Sequence, residues 1–259
     1  MIKLIVSDVD GTLLQNGEIK ISDSVVERIN MLQDQGVTFA VASGRQYPNL
    51  KRLFKNVNND IIYICENGAL IVYKSKILSK TPINRMLGLE IIQDIWNRDG
   101  CEILLSGMNT SYLAPKKISY FEYIRNHIGN NCTLIEDINA VEEELLKISV
   151  YNEEGIDLHS DYFIHKWSER VKTAVSGKYW LDFTNRYVNK GNGIKIAKKM
   201  LNITTEDTMA FGDNYNDLEM FDQAYFSYAM QHADVKVRQA ARYITPNVES
   251  ILTDVLRMR

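Results

Sequence analysis

Asp8 and Asp10 stand two positions apart, directly after the apolar run Leu4 to Val6, and Gly11 and Thr12 follow them. Carboxylates at the end of a buried strand are costly unless a cation or hydrogen-bond donors face them. The i, i+2 spacing would let one hard cation take an oxygen from each residue. Magnesium fits this best, because it takes few carboxylates and fills its octahedron with waters and phosphate oxygens. Gly11 permits a tight turn that a side chain would obstruct. The same pair would also serve as an ordinary acidic turn or helix N-cap. An EF-hand calcium loop is excluded, since Gly11 comes too early for it.

Three further polar clusters share this character. Ser43-Gly44 offers a hydroxyl and bare backbone, suited to phosphate oxygens or to a plain strand-to-helix turn. Arg45 is either a phosphate or substrate contact or a surface arginine. Lys190, between Asn189 and Gly191, is either a point charge for a phosphate and for Asp8 or a solvated loop lysine. In Gly212-Asp213-Asn214-Tyr215-Asn216-Asp217, Asp213 would complete a metal site and Asn216 would donate to phosphate. Asp217 would orient that loop or Lys190, while the same residues can cap the next helix.

What positions these clusters is a rhythm of short apolar runs and amphipathic helices. Ile2 to Ser7, Val37 to Ala42 and Ile61 to Cys65 read as strands. Ser24 and Glu27 suggest a capping box for a helix carrying Val25, Ile29 and Leu32, closed by Gly36. The rhythm resumes with a helix at Ile194 to Leu201, a strand at Thr208 to Phe211, a helix from Leu218 and a strand at Tyr225 to Met230. A helix at Val235 to Ala241, a strand at Tyr243 to Thr245 and a helix from Val248 complete it. Such alternation implies a parallel sheet with crossover helices, whose ligands gather at the carboxyl ends of the strands. All four clusters fall at such ends, so one sheet would bring them to one edge. The stretch from Ile83 to Phe183 differs. Helices at Leu87 to Asn97 and Ser119 to His127 alternate there with more polar strands at Glu102 to Leu105, Lys147 to Tyr151 and Tyr179 to Phe183. The fold expected is α/β: a Rossmann-like parallel-sheet core, residues 1–82 plus 184–259, with an inserted α+β cap at 83–183.

The chain has 259 residues, 45% hydrophobic and 24% charged, with a net charge of -3. This is globular usage, and no concentrated basic surface suggests nucleic acid. Cys65, Cys101 and Cys132 lie far apart and show no zinc spacing or disulfide framework. No apolar run approaches the length of a signal peptide or membrane span. The expectation is a soluble cytoplasmic protein, monomeric or weakly dimeric, whose partner is a small phosphorylated metabolite.

As a set and in this order, Asp8, Asp10, Thr12, Ser43, Lys190, Gly212, Asp213, Asn216 and Asp217 resemble the haloacid dehalogenase superfamily. That superfamily carries D-x-D-x-T, then Ser or Thr, then Lys, then G-D-x-x-N-D. Ala42-Ser43-Gly44-Arg45, Glu66-Asn67-Gly68-Ala69, Asn189-Lys190-Gly191 and Ala229-Met230 resemble its Cof-type subfamily, with a large α/β cap after the third strand. Glu249-Ser250-Ile251 departs from that subfamily's usual Asp-Gly-Val. The resemblance implies a magnesium-dependent phosphatase. Asp8 would be the nucleophile and Asp10 the general acid and base. Asp8, Asp10 and Asp213 would be the metal ligands, Asp10 through its main-chain carbonyl. Val9, Ser43, Gly44, Lys190 and Asn216 would hold phosphate, supported by Thr12, Arg45, Asn67 and Asp217. The four histidines are not needed. A phosphomutase, a phospho-acceptor signalling domain and a non-catalytic phosphometabolite-binding regulator are the competing readings. The cap is expected to act as a mobile lid that selects the substrate.

Overall fold

The computed structural model describes residues 1–258. The chain divides into two compact units. The first comprises Met1–Arg45, Leu50–Ser79 and the chain from Asn189 onward; the second comprises Gln46–Asn49 and Lys80–Val188.

The strands, in chain order, are β1 (Leu4–Ser7), β2 (Thr38–Ala42), β3 (Ile62–Cys65), β4 (Leu70–Tyr73), β5 (Lys76–Lys80), β6 (Cys101–Ser106), β7 (Ser111–Leu113), β8 (Cys132–Leu134), β9 (Lys147–Asn152), β10 (Lys172–Val175), β11 (Trp180–Thr184), β12 (Thr208–Gly212), β13 (Phe226–Met230) and β14 (Tyr243–Thr245). The helices are α1 (Asp23–Asp34), α2 (Tyr47–Leu53), α3 (Arg85–Trp96), α4 (Ile118–Tyr123), α5 (Asp157–Trp167), α6 (Lys190–Leu201), α7 (Leu218–Phe221), α8 (Val235–Ala240) and α9 (Val248–Arg257).

In the first unit the sheet order is β14-β13-β12-β1-β2-β3-β4-β5. Pairing is parallel from β14 through β3, as the alternation of strands and helices requires. The β3–β4 pair is antiparallel, so the sheet is mixed at that edge rather than parallel throughout. Lys74 and Ser75 join β4 to β5 with φ of 51° and 59°. Two successive left-handed residues make the tight hairpin turn that matches strand twist. No Gly or Asn announces that turn, so the sequence gives no sign of the hairpin.

β1 lies centrally, and Ser7 pairs with Phe211 on one side and Val41 on the other. The next residue on each strand, Asp8, Gly212 and Ala42, therefore arrives at one carboxyl edge. One of the two buried faces of β1, β2 and β3 carries Leu4, Val6, Ala40, Ala42, Ile62 and Ile64, packed with Ile194 and Ala197 of α6. Gly193 makes that packing close, since a Cβ there would meet Ile64 Cγ2 at 2.5 Å. α1 buries Val25, Ile29 and Leu32, each contributing about 1.5–3 kcal/mol. Its N-cap is Ser22, whose hydroxyl accepts from the Val25 amide, so the helix begins before the Ser24 and Glu27 capping box read from sequence.

The second unit holds a six-stranded sheet of order β10-β11-β9-β6-β7-β8. It is antiparallel except for the parallel β7–β8 pair. One face (Ile103, Leu105, Ile148, Val150, Leu181, Phe183) packs against Ile91, Ile92 and Ile95 of α3 and Phe163 and Trp167 of α5. The opposite face gathers Leu104, Leu113, Tyr120 and Ile124, with Tyr151 and Trp180 beside them. The helix expected over Ser119 to His127 is α4 followed by a π-turn at Ile124–Ile128, ended by left-handed Gly129.

Candidate active site

Asp8 follows the last residue of β1, and its amide donates to the Phe211 carbonyl at 2.9 Å, so the ladder continues into the site. Its carboxylate is buried, 5% exposed. The partner that makes this burial tolerable is Lys190, at the first turn of α6. Lys190 Nζ donates to Asp8 Oδ1 at 2.5 Å and to Asp217 Oδ1 at 2.7 Å. Asn189 fixes the start of α6, its side chain accepting from the Asn192 amide at 2.7 Å. Gly191 lets the helix approach α7, because a Cβ there would meet the Glu219 carbonyl at 2.2 Å.

Asp217 is fully enclosed. Its second oxygen accepts from the amides of Asp213 and Asn214 at 2.9 and 3.0 Å. Both oxygens are engaged, so Asp217 is a strut that ties the loop after β12 to Lys190. Asp213 reaches back to the first loop, where the Thr12 hydroxyl donates to its Oδ1 at 2.8 Å. Gly11 makes room for it: φ is +87°, and a Cβ would meet Asp213 Oδ2 at 2.2 Å.

One ligand atom from each of Asp8, Asp213 and Asp217 lies within 4.8 Å of the others. Three carboxylates face one ammonium, an excess of two negative charges when all are ionised. Burial pushes the Asp8 carboxyl well above its ordinary range; Lys190 opposes that shift, and Asp217 and Asp213 reinforce it. Burial likewise raises Asp213, against the Thr12 hydrogen bond. Burial disfavours the Lys190 charge, but Asp217 and Asp8 outweigh it and hold the ammonium's pKa above its usual value. The two ends of the Asp8–Lys190 pair both shift upward, which is consistent when Asp217 keeps Lys190 charged and Asp8 and Asp213 compete for a proton. A divalent cation between Asp8 and Asp213 would take that proton's place. Oxygen donors and this charge excess fit a hard cation, magnesium included.

Asp10 stands apart from this cluster. Its carboxylate is half exposed and is clasped by Arg45, Nε to Oδ2 at 2.9 Å and an Nη to Oδ1 at 2.5 Å. Ser43 is buried, and its hydroxyl accepts from the Arg45 amide at 3.2 Å, which sets the turn after β2. The Ser43 carbonyl accepts from the Asn67 amide at 2.9 Å. Asn67 is left-handed, φ 56°, and its Oδ1 accepts from Asn216 Nδ2 at 3.1 Å. Gly44 lies against the Asn67 side chain, where a Cβ would come within 3.3 Å. Val9, between the two aspartates, is fully buried. The structure thus forms two adjoining groups: Asp8, Thr12, Lys190, Asp213 and Asp217, and Asp10, Ser43, Gly44, Arg45, Asn67 and Asn216.

His232, set aside on sequence grounds, places Nε2 3.9 Å from Asp213 Oδ2. The sequence offered no signal for it beyond its position two residues after the end of β13.

A family model described as haloacid dehalogenase-like hydrolase matches residues 5–251. The 5-amino-6-(5-phospho-D-ribitylamino)uracil phosphatase YbjI of Escherichia coli is 26% identical over 243 residues, covering 93% of this chain and 90% of that protein. Phosphoglycolate phosphatase 1 of Saccharolobus solfataricus is 26% identical over 253 residues, with 95% and 90% covered. A crystal structure of a protein from Eubacterium rectale superposes with a TM-score of 0.90 at 26% identity, covering 98% of this chain and 99% of that one.

Proposed function

Because this chain belongs to the haloacid dehalogenase-like hydrolase family, in its Cof-type branch, and is a phosphatase of small phosphorylated metabolites, we propose that Asp8 is its nucleophile and Asp10 its general acid and base. The observation that carries this reading is the buried Asp8–Lys190–Asp217 chain. Lys190 binds one oxygen of Asp8 and so stabilises the carboxylate form that attack requires. The other oxygen forms a bond to phosphorus as the bond to the leaving oxygen breaks, giving an aspartyl-phosphate. Asp10 gives its proton to the departing alcohol. It then takes a proton from water as that water's oxygen attacks phosphorus, releasing inorganic phosphate and restoring Asp8.

Both carboxylate oxygens of Asp10 are held by Arg45. In the first half-reaction Asp10 must leave the clasp and carry a proton. Ser43, Gly44, Asn216 and the main chain of Val9 would receive phosphate oxygens. Asp8, Asp213 and the Asp10 carbonyl would hold magnesium, which when bound screens the charge on the phosphoryl group.

The deciding assay measures inorganic phosphate released from a panel of sugar phosphates and other phosphomonoesters with magnesium, using wild type and Asp8→Asn. Release that disappears in the variant, with its fold unchanged by circular dichroism, supports the reading. Activity of the variant within a few-fold of wild type ends it. Transfer of phosphate to an added sugar instead of water would indicate a mutase.

A further inference from the structure

Asp213 and His232 come from neighbouring loops of the first unit. β12 pairs with β13 in parallel, with Gly212 opposite Ala229. The chain therefore leaves both strands at one edge, Asp213 directly after Gly212 and His232 two residues after Met230. The Ala233 amide closes the second turn on the Met230 carbonyl at 3.0 Å. The two loops are also tied to each other, since the Tyr215 hydroxyl donates to Asp234 Oδ1 at 2.8 Å. That same oxygen caps α8 by accepting from the Lys236 amide. Held in this way, the half-exposed imidazole of His232 turns Nε2 towards Asp213 Oδ2 at 3.9 Å.

A hydrogen bond would bring these two atoms to about 2.7–3.2 Å, so the pair is not hydrogen-bonded. Two donor atoms on one octahedral ion, with bonds of ~2.1 Å, stand ~3.0 Å apart when adjacent and ~4.2 Å apart when opposite. The separation of 3.9 Å falls inside that range. Asp8 supplies a further oxygen to the same cluster, whereas Asp217 is spent on Lys190 and two amides. Carboxylate oxygens suit magnesium, but an imidazole nitrogen is a softer donor that suits late first-row dications.

We propose that His232 is a nitrogen ligand for a late first-row dication such as nickel(II), bound with Asp8 and Asp213. This rests on the reading of those two aspartates as metal ligands. It adds to that reading a selectivity that oxygen donors alone would not give: His232 strengthens the binding of nickel and leaves that of magnesium unchanged.

Calorimetric titration of the metal-free full chain measures the two affinities separately. His232→Ala should weaken nickel at least ten-fold and leave magnesium within two-fold of wild type. His232→Asn, which keeps a polar side chain but no ring nitrogen, should weaken nickel likewise, and it serves if His232→Ala fails to fold. The visible bands of bound nickel should shift in both variants, because a ligand has changed. Asp213→Asn should weaken both ions. Unchanged nickel affinity in the two His232 variants overturns the proposal. So does an equal loss for nickel and magnesium, which would mean that His232 acts only through the charge or placement of Asp213. Nickel held by Asp213→Asn as tightly as by wild type would belong to another histidine and overturn it too. Magnesium held by Asp213→Asn as tightly as by wild type would instead overturn the metal reading itself, and this proposal with it.

Discussion

At the scale of single residues, the site is governed by one buried cation among three carboxylates. Lys190→Met would leave Asp8 and Asp217 enclosed without their counter-charge. Removing one partner of a buried pair costs about 3–5 kcal/mol. Urea denaturation should show a loss of that size, and phosphate release should vanish with it. A loss below about 1 kcal/mol would mean that Lys190 does not hold the cluster together. The raised pKa values of Asp8 and Asp213 have a linked consequence. A carboxyl raised in the folded state binds its proton more tightly there than in the unfolded chain. Its stabilising contribution is full below the unfolded value of 3.8 and is lost as pH rises through the folded value. Without metal, the protein should therefore lose stability as pH rises above about 4 through this window. Magnesium held by Asp8 and Asp213 as proposed would replace those protons, so its Tm increment should grow as pH rises. Thermal melts with EDTA or magnesium at several pH values check this, and an increment that shrinks with pH contradicts it. The sequence made most of these residues legible, because carboxylates and a lysine at strand ends are conspicuous. It did not reveal that Asp10 turns to Arg45, nor that both Asp217 oxygens are consumed by Lys190 and two amides. Those depend on side-chain direction, which spacing does not specify.

At the scale of elements, the start of α6 sets where Lys190 points. Asn189→Ala removes a cap and should cost about 1 kcal/mol, within 0.5–2. Asn247 caps α9 in the same way, its side chain accepting from the Ser250 amide at 2.8 Å. Asn247→Ala should cost a similar amount. Only the α6 variant should lose turnover, because only that helix carries a site lysine. Equal activity of the two variants would show that the cap does not orient Lys190. The core elements were readable from their periods: β2, β3, β12, β13 and β14 fall within a residue or so of expectation. β4, β5, β7, β8 and β10 were not, since none of them carries a sustained alternation of apolar and polar residues.

At the scale of the whole molecule, the first unit is assembled from segments far apart in sequence. β1 pairs with β2 on one side and with β12 on the other. The intervening second unit has its own sheet and its own cluster of buried side chains. Replacing residues 83–183 with a short flexible linker should leave a folded first unit that still shows a magnesium-dependent Tm. Circular dichroism and thermal melts read this out. An unfolded product, with the linker long enough to span, would show that the first unit cannot stand alone. A chain stopped at residue 188 lacks β12 and Lys190 and should not fold its sheet at all. The sequence changes from apolar strands to alternating polar ones near Ile83, and the main segment of the second unit runs Lys80–Val188. The inclusion of Gln46–Asn49 in the second unit was not foreshadowed, since four residues carry no period.

The pairing of β1 with β12 also bears on how the protein is made. Asp8 leaves the ribosome 182 positions ahead of the lysine that neutralises it. At translation rates of roughly 5–20 residues per second, that delay is about ten to forty seconds. Throughout it the nascent β1 lacks one of its two neighbours, and its exposed edge is open to wrong pairing. On the proposed mechanism no phosphoryl transfer is possible in that interval either. The cluster is complete only once the loop after β12 has emerged and set Asp213 against Thr12 and Asp217 against Lys190.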